Sequence, residues 1–214
     1  PLPYGGYYYS LWGNSPFLNY HNPEVQEYIL SVVDFWLDAG ADGFRVDATK
    51  HLFINGPGQE KQYHQPENFE FWKKLRRHIQ EKYGSGKVLI AETVPIPNDV
   101  AYVVPGREMF DLMFDSTFIN DVYPYRETNL DLLYSAPYLH SFFSNPAVYK
   151  LTPLKDRLIY HSDHDGARVA TRIKDPTPEK LKTIASVLIL TPAHIKLYAG
   201  DEIGIKGFSD FNDF

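Results

Sequence analysis

The feature that most constrains this chain is an alternation. Five short apolar runs recur along it, four of them running into carboxylates, and amphipathic stretches lie between them. The runs are "DGFRVD" (42–47), "KVLIAET" (87–93), "MFDLMFDSTF" (109–118), "RLIYHSDHD" (157–165) and "HIKLYAGDE" (194–202). Apolar runs of this length, bounded by turn signals, predict buried strands. Between them, residues 23–40 place Val25, Ile29, Val32, Val33, Trp36 and Leu37 at helical spacing, with Pro23 in the first turn and Gly40 as a stop. Residues 66–84 and 177–191 predict two further helices, and 129–143 one that Pro137 interrupts. Strands alternating with helices imply an α/β fold: a parallel sheet with helices packed outside it. In both a (β/α)8 barrel and an open doubly wound sheet, the C-terminal strand ends carry the site. Asp47, Glu92, Asp165 and Asp201 gather at those ends.

Composition narrows the partners. The 214 residues are 43% apolar, enough for a sizeable core in one ordinary domain or two small ones. A net charge of −6 without a run of Lys and Arg argues against a nucleic-acid surface. No apolar run approaches the roughly 20 residues that span a membrane. There is no cysteine, which excludes disulfides and thiolate metal sites and leaves the compartment open, secreted or cytoplasmic. The first residue, Pro1, is uninformative about targeting. The 16 Tyr suit stacking on sugar rings, although a core uses Tyr equally well. The aromatic run "GGYYYSLW" (5–12) could be such a wall or a hydrophobic plug.

A carboxylate at one strand end is ordinarily a helix cap or a salt-bridge partner. Three at separate strand ends (Asp47, Glu92 and Asp165) make that reading uncomfortable. Converging carboxylates support glycoside hydrolysis or metal binding. In a retaining glycosidase one carboxylate attacks the sugar while the other, about 5–5.5 Å away, protonates the leaving oxygen. Residues i and i+2 of a strand share a face, so Arg45 points with Asp47 and can hold it ionised. The competing reading makes "HSDHD" a metal cluster of His161, Asp163, His164 and Asp165. Adjacent strand residues face opposite ways, which counts against it. "GPGQEK" (56–61) lacks the Ser or Thr of a phosphate loop.

These segments resemble the α-amylase superfamily of glycoside hydrolases. "DGFRVDATKH" is similar to the family segment that carries the nucleophile, here Asp47, with Arg45 orienting it. "LIAET" resembles the segment with the general acid/base, here Glu92. "HSDHDGAR" resembles the segment that implies a third catalytic residue, here Asp165, which binds the reacting sugar and stabilises its oxocarbenium-like state, with His164 and Arg168 as substrate-binding residues. Asp163 replaces that segment's usual Asn. Lys50 and His51 match a Lys-His pair that contacts sugar on the leaving-group side. "LYAGDEIG" and "LNYHNPEV" resemble the stretches at the last barrel strand and before the nucleophile helix. The resemblance covers residues 17–205 and implies a retaining, amylase-like hydrolase or transglycosylase acting on α-glucans such as starch or maltooligosaccharides. It matches only strands four to eight of a TIM barrel. The expectation is therefore that residues 1–214 are a partial catalytic barrel of about five βα units, without the first strands or the C-terminal β-sandwich. The rest of the barrel would come from another segment or chain. No cofactor is implied for the chemistry and no metal ligands are assigned. Phe17 stands where calcium-binding members carry Asp, which argues against a structural calcium. A non-catalytic relative serving as a binding module and a metal-dependent hydrolase are the competing classes.

Overall fold

The computed structural model describes residues 17–56, 58–93, 100–103, 108–115, 135–144 and 152–207. The chain runs α1 (Pro23–Asp38), β1 (Gly43–Val46), α2 (Pro66–Tyr83), β2 (Val88–Ala91), β3 (Leu112–Asp115), α3 (Ala136–Ser144), β4 (Arg157–Ile159), α4 (Val169–Arg172), α5 (Pro178–Leu190) and β5 (His194–Ile195). The strands form one parallel sheet in sequence order, β1-β2-β3-β4-β5. Each strand adds beside the one before it. A doubly wound sheet would reverse direction at a switch point. The order among the described residues is that of a (β/α) barrel segment, so the barrel alternative holds.

Local chemistry starts and stops the helices. Asn22 caps α1 by accepting from the Glu24 N–H at 3.0 Å, and Thr177 caps α5 by accepting from the Lys180 N–H. Each of α1, α2 and α5 has proline in its first turn. Gly84, at φ +79°, ends α2 in a conformation that favours glycine. Pro137 does not interrupt a helix. It lies in the first turn of α3, where no N–H is needed, and 129–134 of that expectation lie outside the described residues. The aromatic run 5–12, Pro57 of "GPGQEK" and residues 116–118 of the third expected strand also lie outside them. Trp36, expected on the apolar face, is exposed and meets Phe35 edge to face.

The strands are shorter than expected and are not apolar on both faces. Ladder partners put Phe44, Leu89, Ala91, Met113, Arg157, Ile159 and Ile195 on one face. This face packs under the helices: Leu89, Ala91 and Met113 join Leu30, Val33, Leu37, Phe71, Leu75 and Ile79, while Ile159 meets Leu188. Residues between them, including Arg45, Ile90, Leu112 and Leu158, point to the opposite face, which is more open.

Two arginines lock the helix side. Arg76 of α2 donates to the carbonyls of Met109 and Lys87 and to Asp111, whose carboxylate also accepts from the Leu89 N–H at 2.8 Å. Arg157 is 1% exposed and pairs with fully buried Asp115 across β3 and β4 at 2.9 Å, its other nitrogens donating to the Thr152 carbonyl. Breaking a buried pair leaves a charge in a dry interior. Arg157→Met is expected to cost about 3–5 kcal/mol in urea unfolding, and adding Asp115→Leu to recover most of it. A loss below about 1 kcal/mol for the single variant would show that the pair does not lock the sheet.

Candidate active site

β1 and β2 pair with Arg45 opposite Ile90 and Val46 opposite Ala91, so Asp47 and Glu92, one residue past each strand, emerge side by side. The Glu92 N–H donates to the Val46 carbonyl at 3.0 Å, carrying the ladder into the site. Arg45 ties the two together: its guanidinium donates to Asp47 and, at 2.6 Å, to Glu92 Oε1. The other Glu92 oxygen accepts from the Ala48 N–H at 2.8 Å, and the Thr49 hydroxyl donates to the Glu92 carbonyl. Ala48 sits at φ +45°, a left-handed conformation that costs a non-glycine residue roughly 1–2 kcal/mol. That turn aims its N–H at the carboxylate.

Electrostatics separates the two carboxyls. Asp47 stands at the rim with most of its side chain in solvent. Protein mass behind it raises its pKa, but hydrogen bonds from Glu92 and Arg45, with the charges of Arg45 and His164, outweigh this and hold it below the ordinary value. Glu92 moves the other way. Burial raises it, and neighbouring Asp47 raises it further, against the Ala48 N–H and Arg45. One group is biased towards the anion and its neighbour towards the acid, the pattern of an acid/base pair.

The other expected residues divide. Residues 161–165 are not strand, because β4 ends at Ile159. Asp165 donates its N–H to Asp163 Oδ1, and its carboxylate pairs with His164 at 3.4 Å. The charge of His164 reaches Asp47, so this turn faces the β1–β2 pair. Buried His161 has its pKa pushed down to about 3 by burial. Among the described residues no group of three or more His, Asp or Glu is arranged to hold a metal. Arg168 lies over the Tyr198 ring at 4.3 Å and donates to the Ala199 carbonyl and to Asp201. Lys50 and His51 follow the turn at Asp47 and Ala48 and both meet Tyr63, Lys50 over its ring and His51 edge-on at 4.3 Å.

Sequence reasoning missed the floor. Phe114 and Tyr160 meet edge to face at 5.5 Å, Arg45 lies over Phe114 at 5.5 Å, and Lys196 lies over both rings. Tyr160 hydrogen-bonds Asp163. The available signal was a lone lysine inside the apolar run "HIKLY".

A family model described as the alpha-amylase catalytic domain matches residues 5–213. The chain belongs to the α-amylase catalytic-domain family. It is 44% identical over 95 residues to the trehalose synthase/amylase of Mycolicibacterium smegmatis, covering 44% of this chain and 15% of that protein. It is 26% identical over 204 residues to alpha-amylase 3 of Dictyoglomus thermophilum, covering 94% of this chain and 37% of that protein. A crystal structure of an alpha-glucosyl transfer enzyme superposes with TM-score 0.69 at 26% identity, over 94% of this chain and 40% of the other. The chain thus spans well under half the length of these relatives. Among the described residues no helix is long and apolar enough to cross a membrane.

Carbon-13 titration of the side-chain carboxyls checks the electrostatics of this family site. Asp47 is expected to titrate below the ordinary aspartate value and Glu92 above the ordinary glutamate value. Arg45→Met is expected to move both upwards, since Arg45 lowers both. Unchanged values in the variant would remove Arg45 from its place as the common counter-charge.

Proposed function

We propose that this α-amylase-family chain carries the site of a retaining α-glycosidase acting on α-glucans such as starch and maltooligosaccharides. What carries this reading is the arrangement of two carboxyls on one guanidinium, biased in opposite directions. Asp47 attacks the anomeric carbon as the bond to the leaving oxygen breaks. Glu92 gives its proton to that oxygen. In the second half, water bonds to the anomeric carbon, passes its proton to Glu92 and releases Asp47. Asp165 and His164 bind hydroxyls of the reacting sugar, and Lys50 and His51 contact sugar on the leaving-group side. Arg168 acts in binding by fixing the segment around Tyr198 and Asp201. The open sheet face is where the rest of a family barrel packs, supplied by another segment or chain.

A transglycosylase reading uses the same intermediate, with a sugar hydroxyl in place of water. The similarity to a trehalose synthase/amylase and to an alpha-glucosyl transfer enzyme favours keeping it. The ratio of free glucose to lengthened oligosaccharides separates the two.

With maltotriose as substrate, Glu92→Gln is expected to lower kcat/KM by about 10²–10⁴-fold, the usual worth of a general acid, while circular dichroism stays unchanged. The pH profile is expected to be bell-shaped. Activity rises as Asp47 ionises, with that limb displaced to acid because its pKa is lowered. Activity falls as Glu92 loses its proton, with that limb displaced upwards because its pKa is raised. Wild-type turnover in Glu92→Gln would overturn the role of Glu92, and absence of turnover in the unaltered protein would favour a non-catalytic binding module.

A further inference from the structure

Lys196 directly follows β5, and its N–H donates to the Ile159 carbonyl at 2.9 Å, so the ladder runs one residue beyond the strand. Ile195 faces the helices with Leu188 and Ile159. Period-two alternation therefore turns Lys196 to the open face, level with Tyr160. There its Nζ lies 4.1 Å from the Tyr160 ring centroid and 4.9 Å from that of Phe114. Phe114 also carries the Arg45 guanidinium, so one ring underlies both the cation that holds Asp47 and Glu92 and the cation of Lys196. Among the described residues the Lys196 ammonium has ring faces for neighbours and neither a hydrogen bond nor an ion pair. It is half-buried, and burial lowers its pKa; Asp163, Asp165 and Glu92 act to keep it charged, against Arg45. A half-buried ammonium whose three donors meet no acceptor among the described residues is placed to donate to a group that enters the site.

We propose that Lys196 is a substrate-binding residue of this site, its ammonium donating to a hydroxyl oxygen of the sugar held between the Asp47–Glu92 pair and the Asp163–Asp165 turn. This rests on the glycosidase reading above. The partner is a neutral sugar ring rather than an anionic one, because the carboxylates of Asp47, Asp163 and Asp165 face it and repel negative charge. The rings of Phe114 and Tyr160 keep the ammonium in place from below, so the donor is positioned before the sugar arrives.

Calorimetric titration of maltotriose into the full chain carrying Glu92→Gln tests this, with glucose 1-phosphate as the anionic probe. Adding Lys196→Met is expected to weaken maltotriose binding at least about tenfold, and Lys196→Gln at least about fivefold, whereas Lys196→Arg stays within about threefold of the parent. Glucose 1-phosphate is expected to bind no more tightly than maltotriose. Equal maltotriose binding by the parent and both uncharged variants overturns this inference alone and leaves the glycosidase reading standing. Tighter binding of the phosphate overturns the neutral-sugar assignment. A parent that binds no maltotriose overturns both readings.

Discussion

The Arg45 guanidinium is the interaction on which the site depends. It reaches from β1 to a carboxylate just past the end of its own strand and to one just past the end of the neighbouring strand. Parallel pairing brings the two strand ends level, but it does not prevent two carboxylates from repelling each other. A shared cation does. Because Glu92 is the more buried of the two, the proton settles there and the negative charge on Asp47. The strained turn at Ala48 belongs to the same device, since its N–H fixes the Glu92 oxygen that Arg45 does not reach.

Much of this was legible in the sequence, for identifiable reasons. The helices α1, α2 and α5 announced themselves by a proline in the first turn and apolar residues at helical spacing, and all three lie within two residues of expectation. The five strands were legible as apolar runs, and Arg45 and Asp47 as a pair on one face. The sheet order decided what periodicity could not, between a barrel and a doubly wound sheet.

The parts that were not legible depend on long-range contact. The strand runs were read too long because the apolar pattern continues into loop residues such as Tyr160 and Leu197 after the ladder has ended. Pro137 was read as a break because proline looks alike at a helix start and in a helix interior. Arg76 with Asp111 and Arg157 with Asp115 join residues 35 and 42 positions apart, and no local signal pairs them. Lys196 looked like a polar accident in a strand, and its meaning comes from the two rings that the sheet places beneath it. Arg168 was legible from its motif, but its contacts with Tyr198, Ala199 and Asp201, about 30 positions away, were not.

The alternation of the strands has one more consequence. In "FRV" the phenylalanine and valine pack towards the helices, while the arginine between them serves the carboxylates. In "LIAE" leucine and alanine are core, and the glutamate just past the strand is chemistry. Folding and chemistry are thus inscribed on neighbouring letters of the same short words. A lineage can rewrite the even letters of such a word for a new sugar or acceptor and leave the odd ones to hold the fold, which makes the sheet a reusable chassis. The same interleaving sets a limit: an insertion of one residue in any of these strands exchanges the two roles, and loses both together.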